Sequence, residues 1–233
     1  MRTLRFGYRL ALATLALATL AQAASADSLY GSRESFWQGE LGVRTTHVPD
    51  RGYDPFSSDD ALTQFSLGVA RTVWDEGPLS FAPGIVWDYG WRNATARGQD
   101  TSLSVHRLAL ALEGRYHLFP WTYALVRITP GALHASAELS DSLSPAPYVA
   151  ESWAFALDAS AGAAFLLGPH QEQSASPVRW WLAAEGGYAY AGSTSLMMHP
   201  DLPAGDPRRT GDLDLGTLAM RGAFVRIYGS ITY

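Results

Sequence analysis

His134, Ser136 and Glu138 alternate along one stretch of the chain, and Ser104 and His106 alternate along another. Histidine beside serine, with a carboxylate nearby, is the set from which an activated hydroxyl nucleophile is built. Alternate residues share a face only in an extended chain, so this chemistry requires both stretches to be strands. With a three-residue turn over Leu118 to Pro120 setting the register, Ser104 falls opposite His134, within cross-strand reach. The competing reading is a set of interfacial polar groups that catalyse nothing.

The other titratable residues are less organised. His47, His117, His170 and His199 are scattered without metal-ligand spacing, so neither a metal nor a cofactor is expected. Asp50, Asp54, Asp59 and Asp60, and later Asp201, Asp206, Asp212 and Asp214, form two acidic tracts that match no calcium-loop spacing and read as solvated loops. Asn93-Ala94-Thr95 fits a glycosylation acceptor only formally. Gly162, Gly186 and Gly187 fall within extended segments and precede no helix that could hold a phosphate.

Composition bounds the elements that must position these groups. The chain has 233 residues, 47% hydrophobic and 17% charged, enough for one domain with a substantial core and too apolar for disorder. It has no cysteine, hence no disulfide scaffold or thiolate metal site. All 17 basic residues are arginine and the net charge is −5, so no nucleic-acid partner is implied. Arg2, Arg5 and Arg9, the apolar run Leu10 to Leu20 and the small-x-small step Ala21-Gln22-Ala23 predict a cleaved signal peptide over residues 1–23. Ala24-Ser25-Ala26 offers a second cleavage site after residue 26. Residues 24–35 then form an N-terminal periplasmic segment, and residues 36–233 the folded unit.

Beyond that leader no run approaches about 18 apolar residues, so no membrane-crossing helix is expected. Eight segments instead alternate apolar with small or polar residues: Phe36 to Thr45, Leu62 to Trp74, Leu79 to Trp91, Leu103 to His117, Trp121 to Glu138, Ser152 to Leu167, Val178 to Ala191 and Leu215 to Tyr233. A period of two marks strands, and Gly and Ala on the less apolar face suit a narrow closed sheet. The links Asp75 to Pro78, Leu118 to Pro120 and Gly168 to Pro177 are the tighter ones. Thr46 to Ala61, Arg92 to Ser102, Leu139 to Glu151 and Gly192 to Asp214 are longer and rich in Asp, Ser, Pro and Gly. Turns at one end and loops at the other predict an all-β, eight-stranded, antiparallel, up-and-down transmembrane β-barrel with both termini in the periplasm.

Charge decides which face is outward. An arginine facing lipid at mid-depth costs about 2 to 4 kcal/mol, so the Leu108, Leu110 and Leu112 row faces lipid, while Arg107, Glu113 and Arg115 face inward. The same parity turns Ala124, Val126, Ile128, Val225, Ile227 and Ile231 outward. The interior charge set is then Glu40, Arg44, Asp88, Arg107, Glu113, Arg115, Arg127, Asp158, Glu185 and Arg226, five acids and five arginines. Eight strands leave room only for their own side chains, so a paired, plugged interior is expected. Arg71 and Arg221 fall on the lipid phase, but near strand ends, where arginine can snorkel. Trp37, Trp74, Trp121, Trp180 and Tyr233 gather at the turn ends, and Trp87, Trp91, Trp153, Tyr188 and Tyr190 at the loop ends, the two aromatic girdles of a membrane barrel.

Through its leader, its eight alternating segments, Trp153 to Pro169 (WAFALDASAGAAFLLGP) and Phe224 to Tyr233 (FVRIYGSITY) with an aromatic last residue, the chain resembles the OmpA/OmpX-like small outer-membrane β-barrels. The resemblance covers nearly all of the mature chain. It implies residence in the cell outer membrane and insertion by the barrel assembly machinery, with Tyr233 in the assembly signal. No peptidoglycan-binding domain is expected after Tyr233. The His-x-Ser pair on a lipid-facing strand separately resembles the outer-membrane lipid A deacylases, which would make His134 the base, Ser136 the nucleophile and Glu138 the orienter. Here Ala137 stands where that family carries a polar residue, and the pair lies on an earlier strand.

The leading expectation is a monomer bathed in outer-membrane lipid and lipopolysaccharide, structural or acting through its extracellular loops, without enzymatic activity. Two alternatives remain open: an outer-membrane lipid A deacylase or esterase using His134 and Ser136, and a small pore.

Overall fold

A computed structural model describes residues 37–76, 78–96, 99–119, 121–141, 146–167, 178–203 and 205–233. The expected leader, the segment 24–35, the link 168–177 and His170 lie outside these residues. The strands are β1 (Trp37–His47), β2 (Ala61–Arg71), β3 (Trp74–Glu76), β4 (Leu79–Ala96), β5 (Gln99–Phe119), β6 (Thr122–Asp141), β7 (Tyr148–Leu167), β8 (Arg179–Ala191), β9 (Thr194–Pro200), β10 (Leu213–Leu218) and β11 (Gly222–Thr232).

Alternation becomes barrel because each strand has one face that only lipid suits and one that only the interior suits. In β5, Leu103, Val105, Arg107, Ala109, Ala111, Glu113 and Arg115 are buried, while Leu108, Leu110 and Leu112 stand exposed between them. Antiparallel pairing runs β1, β2, β4, β5, β6, β7, β8, β11 and back to β1, an eight-stranded closed barrel with the short β3 continuing the β2 side against β4. Closure removes every unpaired edge at membrane depth, where bare N–H and C=O groups would have no water. The seam between β1 and β11 runs from Gln38 opposite Thr232 to Thr46 opposite Phe224. It is fastened by reciprocal 3.1 Å backbone bonds between Trp37 and Tyr233.

Several expectations are corrected, the first being the loop expected over Arg92 to Ser102, where β4 continues to Ala96 and β5 starts at Gln99 because the two strands stay paired to their ends. The last predicted segment is two strands: β10 ends at Leu218 and the barrel strand starts at Gly222. The stretch expected as the fourth loop contains β9, which pairs with β10 and continues the sheet from β7 through Tyr148 opposite Pro200. Leu196, Met198 and Leu218 supply the reason, since all three are buried in an apolar cluster over the barrel mouth. The hairpin between β5 and β6 also differs in register. Its irregularity between His117 and Phe119 sets Ser104 opposite Ser136 and His106 opposite His134. The shift is of two residues, so every side chain keeps its face.

The first loop is no solvated tract throughout. Val48, Tyr53 and Phe56 are wholly buried in the same cluster. Arg92 clamps the loop base, donating from Nε to the Ala61 carbonyl at 2.7 Å, and Tyr53 donates to that carbonyl at 3.0 Å. The Ser57 hydroxyl, donating to Asp59 at 2.5 Å, holds that carboxyl below its usual range. Asp59 also lies 3.3 Å from the Arg92 guanidinium, so the small support that its carboxylate gives the loop base is present at neutral pH and fades as pH falls through the carboxylate range.

The seam gives the first prediction. Deleting Ile231, Thr232 and Tyr233 removes the end of the β1 pairing, so barrel assembly should be lost, read as disappearance of the fast-migrating band in unheated SDS gels. A deletion variant that kept that band would contradict the closure described.

Candidate functional site

The structure places all ten inward charges inside the barrel, each no more than 6% exposed. They form two layers. In the outer one Arg44, on β1, reaches Asp88 at 3.2 Å and Asp158 at 2.6 Å, while Arg107, on β5, reaches the same two aspartates at 2.8 and 3.0 Å. Two cations and two anions thus close a ring across β1, β4, β5 and β7. Ser66 donates to Asp88 at 2.6 Å, and Arg107 donates to the Thr129 carbonyl at 2.8 Å.

The inner layer is larger. Arg127 bonds Glu40 at 2.7 Å and Glu113 through Nε at 2.7 Å; Arg226 bonds Glu40 and Glu185, both at 3.1 Å. Arg115 meets Glu113 at 2.5 Å and donates to Gln38 Oε1 at 2.6 Å. Three acids and three arginines balance, as two and two do above, so each layer is neutral on its own. Tyr228 lies under both Arg127 and Arg226, with guanidinium carbons 5.1 and 4.6 Å from its ring centre. Gly42 makes that position possible: a Cβ there would sit 2.4 Å from the Tyr228 Cβ.

Apolar plugs close both ends. The loop-side cluster caps the outer layer, and on the turn side Tyr123 and Trp181, ring centres 5.1 Å apart, pack with Leu125, Ala164 and Ala183. The cavity left beside the charges is about 10 Å3, near the lower limit for one water. Arg71 and Arg221, which parity sends outward, are exposed, and Arg71 lies 5.5 Å over the Trp37 ring at the turn-side rim. Gln38, Ser66, Thr129 and Tyr228 were missed as network members, although their inward parity was readable.

The rim constellation comes together differently. His134, Ser136, Glu138, Ser104 and His106 all face outward. Tyr89, His106, His134 and Trp153 are successive cross-strand partners and form a ladder of rings, with neighbouring centres 4.6, 6.4 and 4.6 Å apart. The carboxylate near the His134 imidazole is Glu151, at 3.9 Å, while Glu138 accepts from Ser140 at 3.4 Å. Glu138 is therefore not the orienter of His134, and none of the contacts found for His134 reaches the Ser136 hydroxyl. His199 pairs with Asp212 at 2.8 Å at the β9–β10 hairpin. Among the described residues no group of three or more His, Asp or Glu could hold a metal.

No protein-family model matches the chain, and no curated protein matches it. Solved structures do resemble it distantly. Ail, the attachment invasion locus protein of Yersinia pestis, in complex with the heparin analogue sucrose octasulfate, is 11% identical over 86% of this chain and 99% of its own, with a TM-score of 0.48. Neisserial surface protein A is 10% identical over 85% of this chain and 94% of its own, TM-score 0.44. The outer membrane protease OmpT from Escherichia coli is 9% identical over 90% of this chain and 100% of its own, TM-score 0.48. Likenesses this distant carry no argument about activity. What defines the class is the physics already described: a closed antiparallel barrel, apolar outside and charged inside, has the surface of a membrane-spanning β-barrel.

Breaking a buried pair strands its partner charge. Glu113→Ala should cost about 3 to 5 kcal/mol of unfolding free energy in vesicles. Arg208→Ala, which breaks only an exposed loop pair with Asp206, should leave the urea midpoint almost unchanged. Equal midpoints for the two variants would contradict the network's role.

Proposed function

We propose that this chain is a monomeric outer-membrane β-barrel of the OmpA/OmpX-like kind, non-enzymatic, with a plugged interior and a structural or surface role carried by its extracellular end. The supporting observation is the pair of neutral charge layers between two apolar plugs, with a cavity of about 10 Å3 beside the charges, near the lower limit for one water. A pore would need a continuous wet path, and the described residues fill the bore with paired side chains and apolar plugs, which favours the closed reading. Export through the leader, insertion by the barrel assembly machinery with Tyr233 in the signal, and contact with outer-membrane lipid and lipopolysaccharide belong to the same reading.

The hydrolase alternative is weakened by the rim geometry. An acyl transfer needs base and nucleophile within hydrogen-bond reach and the base held by its own partner. Here the His134 ring packs against the rings of His106 and Trp153, and Glu138 bonds Ser140 instead.

Cell fractionation tests the placement: the protein should co-sediment with outer membrane and shift in gel mobility on boiling, whereas a soluble or heat-insensitive protein would refute it. Mass spectrometry of lipid A from cells with and without the protein tests the activity. Identical acylation in wild type, Ser136→Ala and His134→Ala is expected, and an acyl chain removed only when Ser136 is present would restore the enzyme.

A further inference from the structure

Beyond the ring ladder the outward face of β4, β5 and β6 carries an open groove of about 340 Å3. Asn93, Thr95, Asp100, Ser102, Glu138 and Ser140 line it with hydroxyls, an amide and two carboxylates, and none of its described lining residues is basic. Its walls are tied together. Thr95 donates to Asp100 at 2.6 Å and Ser140 to Glu138 at 3.4 Å, while Thr101 donates to the Pro55 carbonyl of the plugging loop at 2.6 Å. Trp91, 59% exposed, stands on the same face one alternation below Asn93, opposite Ser104 as Asn93 is opposite Ser102.

We propose that this groove binds the sugar headgroup of a glycolipid in the surrounding outer leaflet, with Trp91 as the platform on which a sugar ring stacks. The proposal rests on the outer-membrane placement argued above. Lining chemistry selects the ligand. A phosphate would meet two carboxylates and no cation among the described lining side chains, and an acyl chain would bury two carboxylates whose remaining lone pairs it cannot satisfy. A polyol both donates to the carboxylates and accepts from the hydroxyls and amide, and its C–H face offers apolar area to an indole.

Position selects the source. A strand rises about 3.4 Å per residue at a tilt of about 35 to 45°, so the two to four residues from Trp91 to Asn93 and Thr95 climb about 5 to 10 Å along the membrane normal. That is the depth of the headgroup layer, roughly 5 to 8 Å on each side of the hydrocarbon. The lining side chains belong mainly to the outward parity, so the groove opens sideways toward neighbouring lipid, away from the barrel mouth.

The test uses the mature protein in nanodiscs doped with lipopolysaccharide bearing core sugars, or with lipid A lacking them, read by native mass spectrometry of retained lipid. Wild type should favour the sugar-bearing lipid by about tenfold, and Trp91→Ala and Glu138→Gln should each remove most of that preference while keeping heat-modifiable migration. Equal retention of both lipids by wild type, or unchanged preference in both variants, overturns the proposal. Free core oligosaccharide binding as tightly as the intact glycolipid would also overturn it, by making the ligand a soluble glycan. Fractionation of cells reports on the outer-membrane placement separately, so failure of that reading is distinguishable from failure of the groove.

Discussion

Everything in this barrel follows from placing ten charged side chains where no bulk water reaches them. An unpaired ion in such a place carries a desolvation penalty of several kcal/mol, so the interior can exist only if each charge finds opposite charge within reach. The ring of Arg44, Asp88, Arg107 and Asp158 meets this requirement with two contacts per member. Arg127 meets it from the centre of the inner layer, touching Glu40 and Glu113 together. These bonds join strands far apart in sequence, such as β1 with β6 and β7, and so hold opposite walls of the barrel in fixed relation. Backbone pairing closes the sheet; the arginines brace its bore.

The apolar plugs complete the constraint. Charge pairs gain most where water is excluded, and they are excluded from water here by the aromatic floor at Tyr123 and Trp181 and by a roof built from Val48, Phe56, Leu196 and Met198. That roof explains why the fourth loop-side connection folds into a hairpin and why the first loop turns its large residues inward. The outer end is consequently a built surface, with a ring ladder at the interface and a polar groove beyond it, on which a surface role can rest.

Much of this was legible in the sequence because parity is a strong signal. One face of β5 reads leucine and the other arginine and glutamate, and lipid tolerates only one of them. Asp, Gly and Pro clusters mark where the chain reverses but overstate the length of the connections, since β4 and β5 stay paired through Arg92 opposite Leu103 as far as Ala96 opposite Gln99. Parity says which way a side chain points but not which charge it meets: Glu113 faces Arg127 directly in register, whereas Arg127 reaches Glu40 across the bore, a contact that depends on barrel diameter and stagger. Register was the weak point at the rim. A turn length read from three residues puts Ser104 opposite His134, and an irregularity near Phe119 moves it opposite Ser136 with every face intact, while the carboxylate beside His134 is Glu151 of β7 and Glu138 accepts from Ser140 instead. The β9–β10 hairpin is not legible because Leu196 and Met198 sit in a stretch whose Asp, Pro and Gly content reads as loop, while Leu218 falls within the last alternating segment, which reads as one strand.

The central claim is that the bore is closed by paired charge and apolar plugs, and ion conductance tests it most directly. Wild-type protein inserted in a planar bilayer should raise no steady current above the bare membrane, while a variant with the roof opened by Phe56→Ser and Met198→Ser together should remain nearly as tight, because both charge layers still fill the bore. A large, steady conductance from the wild-type protein would contradict the account.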